Sequence, residues 1–201
     1  MNFLSHMLLS GDEGQILVGN FMGDFVKGPL AGRFPERIRQ GLALHRGIDV
    51  FASRDELFRR SRLRLDPAYG LYRGVLIDLF YDHFLVAEWN RWSDEPFDLF
   101  LVRTRSCIEN QRHEIPERLH KLLPVLFEEL LPSYREVHGI GSALERMSRR
   151  VPRANPLAGG EAELIRHYDA LRTDFRGFMP LVQRFSADFI ARETGRKHRS
   201  D

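Results

Sequence analysis

Asp78 and Asp82 lie four residues apart in the segment LYRGVLIDLFYDHFLVAEW, and His83 follows directly. At helical spacing Leu71, Val75, Asp78, Asp82, Leu85 and Trp89 share one stripe, so two carboxylates interrupt an otherwise apolar face. Side chains four apart on a helix start about 5 to 6 Å from one another, so two ionised aspartates there repel and call for a cation between them. His83 is turned about 100° from Asp82. It shares a stripe with Leu79 and Val86, within reach of a common pocket.

A second segment repeats the anomaly, because Ile38, Leu42, His45 and Asp49 also fall on one stripe. Asp24 stands among Phe21, Met22, Gly23, Phe25 and Val26, and His6 sits inside NFLSHML. Burying one unpaired ion costs several kcal/mol, and three or four would consume most of a total stability of about 5 to 15 kcal/mol. Arg46 and Arg73 only flank the stripes, whereas a divalent cation neutralises several oxygens at one point. A mixture of imidazole and carboxylate suits Mn²⁺, Fe²⁺ or Zn²⁺ better than Ca²⁺, with Mg²⁺ the alternative if carboxylates dominate. Taken alone, His6 reads more simply as a core histidine bonded to a carbonyl, and Asp49 equally as a helix cap or arginine partner. His113, His120, His138 and His167 stand beside charged residues without ligand spacing.

The elements that must carry these groups read as helices throughout, since no period-2 alternation is bounded by hairpin turns. Asp12 with Gln15 resembles a capping box for a helix over 13–27, ended by Gly28-Pro29. Pro35 opens a second helix to about Ser53, and a charged segment from Arg59 to Arg64 follows. A third helix is expected from Asp66-Pro67 to Trp92, and a fourth, capped by Ser93 or Asp94, to about His113. Pro116, Pro124 and Pro132 punctuate short helices, because a proline inside a helix costs roughly 3 kcal/mol. A basic helix after Gly139 ends near Arg150, and a long amphipathic helix begins near Glu161, bent at Gly177 and Pro180. The expectation is one all-α domain over 1–194, followed by a mobile polar tail, GRKHRSD, over 195–201.

Composition narrows the class. A chain of 201 residues, 43% hydrophobic and 29% charged, can bury a substantial core and is neither low-complexity nor mainly disordered. A single cysteine, Cys107, excludes an intramolecular disulfide framework and any paired-cysteine zinc site, and points to a cytoplasmic protein. No apolar run approaches the roughly 20 residues of a membrane span. The net charge of +2 gives no reason to expect nucleic acid, although arginine clusters form local basic patches.

The motifs NFLSHML, GNFMGDFVKG, ALHRGIDVF and IDLFYDHFLVAEW, with MSRRVPR and HYDALRTDFRGFMP further on, run in one order along nearly the whole chain. In these the chain resembles the acyl carrier protein phosphodiesterase family, itself similar to a divergent, rearranged branch of the HD-domain metal-dependent phosphohydrolases. Here the adjacent pair runs Asp82-His83, the reverse of the usual order. The resemblance implies hydrolysis of the phosphodiester joining 4′-phosphopantetheine to a serine of holo acyl carrier protein. It implies a divalent metal, Mn²⁺ ahead of Mg²⁺ or Fe²⁺, held by Asp24, Asp78, Asp82, His83 and His6. Asp24 and His45 are the expected catalytic residues, Asp24 as ligand or water-positioning group and His45 as ligand or proton donor to the leaving serine. An acidic protein substrate calls for a basic surface, for which Arg59, Arg60, Arg62 and Arg64 form one cluster and Arg146, Arg149, Arg150 and Arg153 another. Phe21, Phe25, Phe80 or Tyr81 would line a slot for the pantetheine arm. The competing expectations are an HD-type nucleotide phosphohydrolase and a non-catalytic helical binding module.

Overall fold

A computed structural model describes residues 1–195, and the chain is all-α, with no strand among the described residues. The first two helices are short: α1 spans Phe3–Leu8 and α2 spans Gly14–Phe21. The cap of α2 is Glu13, whose carboxylate accepts the main-chain N–H groups of Gln15 and Ile16, so the expected cap at Asp12 moves by one residue. The helix expected to reach residue 27 stops at Phe21, and a 3-10 turn over Gly23–Phe25 carries Asp24 off the helix axis.

Helix α3 spans Glu36–Arg54, and the charged segment after it is itself helical, α4 over Glu56–Arg64, capped by Asp55. The central helix α5 covers Tyr72–Ala87 and is shorter than the sequence suggests. Gly70, at φ 50°, separates it from a 3-10 turn over Pro67–Tyr69, and another turn over Trp89–Arg91 closes it. Leu71, on the expected apolar stripe, precedes the helix and is 91% exposed. Helix α6, Phe97–Asn110, begins behind Pro96 with no side-chain cap, not at Ser93 or Asp94.

The proline-punctuated region becomes α7 (Glu117–His120), α8 (Leu123–Val125), a π turn over Leu126–Leu130 and α9 (Leu131–Ser133). Helix α10 spans Val137–Arg150, so it starts before Gly139. The last expected helix is broken at His167 into α11 (Glu161–Arg166) and α12 (Tyr168–Gly195), and α12 continues through Pro180. The expected polar tail lies, past Gly195, outside the described residues. None of the described helices is long and apolar enough to cross a membrane.

Two features of this packing govern the site. Helices α2 and α3 cross so closely that a Cβ on Gly19 would lie 2.1 Å from Ile38 O, and one on Gly41 would lie 2.1 Å from Ile16 O. On the other side of α5, Tyr81 and Phe84 pack against Phe175 and Phe178 of α12, and Phe58 of α4 meets Tyr81 edge-on at 5.3 Å. Phe21, Phe80 and Tyr81 are thereby consumed by the core and offer no wall to a pantetheine slot, because their rings are fully enclosed. Gly41→Ala is expected to lower stability by about 3 kcal/mol or more, measured by denaturant unfolding, since the methyl meets main chain that cannot swing aside.

Candidate metal centre

The centre is assembled from α1, α2 with its following turn, α3 and α5. Helix α1 has no side-chain cap of its own at Asn2. Asp82 of α5 supplies one from a distance, accepting Leu4 N–H at 3.3 Å, Ser5 N–H at 3.2 Å and Ser5 Oγ–H at 2.6 Å. This fixes the helix that carries His6.

The His6 ring stacks on the His45 ring with centroids 3.9 Å apart. Gly23 makes room for that arrangement, since a Cβ there would sit 2.1 Å from His45 Cγ. His6 Nδ1 lies 2.8 Å from Asn20 Oδ1, and His45 Nδ1 lies 2.8 Å from Asn20 O. The opposite nitrogens converge on Asp49, with His6 Nε2 3.3 Å from Oδ1 and His45 Nε2 3.3 Å from Oδ2. Asp24 Oδ1 approaches His45 Nε2 to 3.5 Å. The Met1 α-amine completes the cluster, 3.1 Å from Asp49 Oδ1 and 3.3 Å from Asp78 Oδ1.

Ligand-capable atoms of His6, His45 and Asp49 all lie within 4.8 Å of one another. His6 Nε2 is fully buried and, despite its nearness to Asp49, meets hydrogen-bond geometry with no partner among the described residues. Two imidazoles and a carboxylate around a buried nitrogen without a partner are a donor set that suits a borderline divalent cation. Asp24 is 56% exposed at its side chain and faces a cavity of about 430 Å³, lined also by Asp49, Asp78, Arg62 and Met147. A larger hollow of about 670 Å³ at the far end of α5, beside Trp89, Arg135 and Arg176, holds no comparable set of ligand atoms among the described residues.

Electrostatics follow the geometry. Burial pushes the His6 imidazolium down to about 4, helped by the His45 charge and the α-amine, so its ring is neutral at pH 7. Burial also opposes charge on His45, but hydrogen bonds to Asp24 and Asp49 outweigh it and push that ring up to about 9. Against the burial penalty, His45 and His6 hold the Asp49 carboxyl far below the usual range, and His45 lowers that of Asp24. Burial raises Asp78, with the α-amine opposing.

Of the residues the sequence singles out, Asp24, His6 and His45 meet here, and Asp78 borders the same cavity. Asp82 and His83 do not join them. Burial pushes Asp82 up to about 7 against its three donors on α1, so it acts as a buried cap. His83 spends both nitrogens elsewhere, Nδ1 at 2.8 Å from Tyr134 O and Nε2 at 3.0 Å from the Tyr168 hydroxyl. Asp49, left open between cap and ligand by its sequence, is the carboxylate nearest both rings. Asn20 was not visible as a site residue, although Gly19-Asn20 and Gly23-Asp24 repeat at helical spacing, a pattern of close approach beside polar groups.

The arginines divide. Arg60 and Arg64 pair with the fully buried Asp174, Arg64 Nε at 3.0 Å, which ties both to the fold while the Arg60 side chain stays half-exposed. Arg146 pairs with Glu129 and Arg149 with Glu145 on the surface, each at 2.6 Å. Arg150 follows the cavity-lining Met147 by three residues, at the end of α10. Arg59, Arg62 and Arg73 surround an adjoining hollow of about 190 Å³, and none forms an ion pair among the described residues.

Comparison with known proteins supplies a family. The family model described as acyl carrier protein phosphodiesterase matches residues 1–182. Relatives bearing that name include a Klebsiella pneumoniae subsp. pneumoniae protein, 34% identical over 188 residues, covering 92% of this chain and 97% of its own. A Yersinia pestis protein is 31% identical over 186 residues, covering 92% and 96%, and one from Escherichia coli O6:H1 is 33% identical over 189, covering 90% and 94%. No solved structure matches the chain.

Replacing Asp82 by alanine would strand three buried donors on α1. The expected result is a loss of about 1 to 3 kcal/mol in denaturant unfolding, in contrast to a surface carboxylate, whose removal is nearly neutral.

Proposed function

The chain belongs to the acyl carrier protein phosphodiesterase family, a family of enzymes, and from this we propose that it hydrolyses the phosphodiester between 4′-phosphopantetheine and a serine of holo acyl carrier protein, releasing apo-protein and 4′-phosphopantetheine. The observation that carries the reading is the buried, unpartnered His6 Nε2 facing Asp49 beside His45. His6, His45 and Asp49 would hold a divalent metal, Mn²⁺ ahead of Mg²⁺ or Fe²⁺, with Asp24 completing the set or standing next to it. Such a cation lowers the pKa of water and polarises a phosphoryl oxygen. The kinship to HD-domain enzymes is part of the same proposal, since its imidazoles and carboxylates also come from separate helices.

The chain's own residues supply the rest. Asp24, the most open carboxylate of the cluster, reaches the cavity and can orient a water and accept its proton at Oδ1. His45 is held by Asn20 O on one side and by two carboxylates on the other, so it stays fixed while substrate enters. Asp78 sits across the α-amine from Asp49 and lines the same cavity.

Docking falls to the arginines that internal carboxylates leave free. Arg62 lines the cavity itself and shares an adjoining hollow with Arg59 and Arg73, while Arg146, Arg149 and Arg150 stand on α10 around the cavity-lining Met147, Arg146 and Arg149 each beside a glutamate. A surface of this kind fits the carboxylates of an acidic carrier protein by charge complementarity. With Cys107 as the one thiol, the reducing cytoplasm is the proposed setting.

Mass spectrometry of holo acyl carrier protein incubated with the enzyme is expected to show loss of the phosphopantetheine mass. Chelation should abolish turnover and added Mn²⁺ restore it. His6→Ala and Asp49→Ala should each cut metal affinity and kcat by more than about 100-fold, whereas His83→Ala should retain both. Turnover confined to nucleotides, or undiminished after chelation, contradicts the reading. Arg59→Glu with Arg73→Glu should raise KM for the carrier protein about tenfold or more and weaken its salt dependence, with kcat little changed.

A further inference from the structure

Asn20 is fully buried at the junction of α1, α2 and α3, and its contacts fix where the protons of both imidazoles reside. Its Nδ2 lies 2.7 Å from His6 O and 2.9 Å from Ser10 Oγ. A main-chain carbonyl only accepts, so the amide end facing His6 O is the NH2 group. The other end, 2.8 Å from His6 Nδ1, is therefore the carbonyl oxygen, and His6 Nδ1 must carry the hydrogen. On its main chain the same residue presents a second acceptor, Asn20 O, 2.8 Å from His45 Nδ1, which must also donate.

We propose that Asn20 is the positioning residue of the centre, its side chain holding His6 and its main chain holding His45 so that both rings turn their Nε2 atoms toward Asp49. The inference rests on the metal-binding reading above but concerns the ring that presents the lone pair, not the reaction. A free imidazole in water exchanges between two tautomers and many orientations. Here one residue removes that freedom from two rings at once, and the stacking of those rings transmits any tilt of one to the other. Outer partners of this kind are typically worth 10- to 100-fold in metal affinity.

The competing role for Asn20 is a mere tie between α1 and α2 through Nδ2, His6 O and Ser10 Oγ. Different substitutions separate the two. Ser10→Ala weakens the tie, removing the bond to Asn20 and the 2.8 Å bond from Ser10 Oγ to His6 O, yet leaves Asn20 Oδ1 on the ring. Asn20→Ala removes both, and Asn20→Asp keeps an oxygen acceptor for His6 Nδ1 while losing the amide donors.

The test is long-range ¹H–¹⁵N NMR of histidine side chains in the metal-free protein at pH 7, paired with calorimetric titration by Mn²⁺. The unaltered protein should show His6 protonated at Nδ1. In Asn20→Ala the His6 signal should shift toward Nε2 protonation and Mn²⁺ affinity should fall about 10- to 100-fold. Ser10→Ala should lower the melting temperature but keep tautomer and affinity, and Asn20→Asp should keep the tautomer. Nε2 protonation of His6 in the unaltered protein overturns the proposal even if Asn20→Ala fails to fold. Unchanged tautomer and affinity in a folded Asn20→Ala protein overturn it as well. A protein with Nδ1-protonated His6 that takes up no Mn²⁺ defeats the metal-dependent function and leaves Asn20's hold on the ring intact.

Discussion

The crossing of α2 and α3 leaves no space for a side chain at either Gly19 or Gly41, and the juxtaposition of Asn20, Asp24 and His45 follows from that contact. Backbone meets backbone there, an imagined Cβ on Gly19 lying 2.1 Å from Ile38 O and one on Gly41 lying 2.1 Å from Ile16 O. One residue beyond Gly19, Asn20 O is thereby brought to the His45 ring, four residues beyond Gly41 on the facing helix. The same approach continues at Gly23, where the chain leaves α2 so close to His45 that only a hydrogen fits. Asp24 then emerges beside the ring on a 3-10 turn rather than on the helix expected from its sequence. Wider separation of the helices by one methyl would move Asn20 and Asp24 away from His45 together.

Carboxylates inside the core or at its edge are handled in three distinct ways within one small protein. Asp82 is satisfied by main-chain and hydroxyl donors at the start of a helix. Asp174 is neutralised by Arg60 and Arg64 and accepts from Ser61 Oγ at 3.1 Å. Asp49, whose side chain is 41% exposed, has neither an arginine nor a set of main-chain donors among the described residues, and faces two imidazoles and an amine. In the first two arrangements both carboxylate oxygens accept hydrogen bonds from the protein itself. The third is open, because the His6 nitrogen beside Asp49 has no hydrogen-bond partner among the described residues and a cavity lies next to Asp49. That openness separates a site from a buried structural charge.

Much of this organisation was legible in the residue pattern. The all-α class followed from apolar periodicity and proline spacing, and the pairing of His45 with Asp49 at helical spacing placed two of the central groups on one face. The set around Asp82 and His83 was less legible for a definite reason. A carboxylate on an apolar stripe looks the same in sequence whether its partners are a metal, an arginine or the free N–H groups of a distant helix. For Asp82 those partners lie 77 and 78 residues away on α1. Arg60 presents the same difficulty, since its carboxylate is 114 residues away on α12. Asn20 was hidden because half of its action is through the main chain, which leaves no mark in residue identity.

The most direct measurement is anomalous X-ray scattering from crystals of the protein grown with Mn²⁺. The expected result is an anomalous peak within bonding distance of His6 Nε2, His45 Nε2 and an Asp49 carboxylate oxygen, next to Asp24. A peak seated instead between Asp82 and His83, or none above background in crystals holding Mn²⁺ at millimolar concentration, would contradict it.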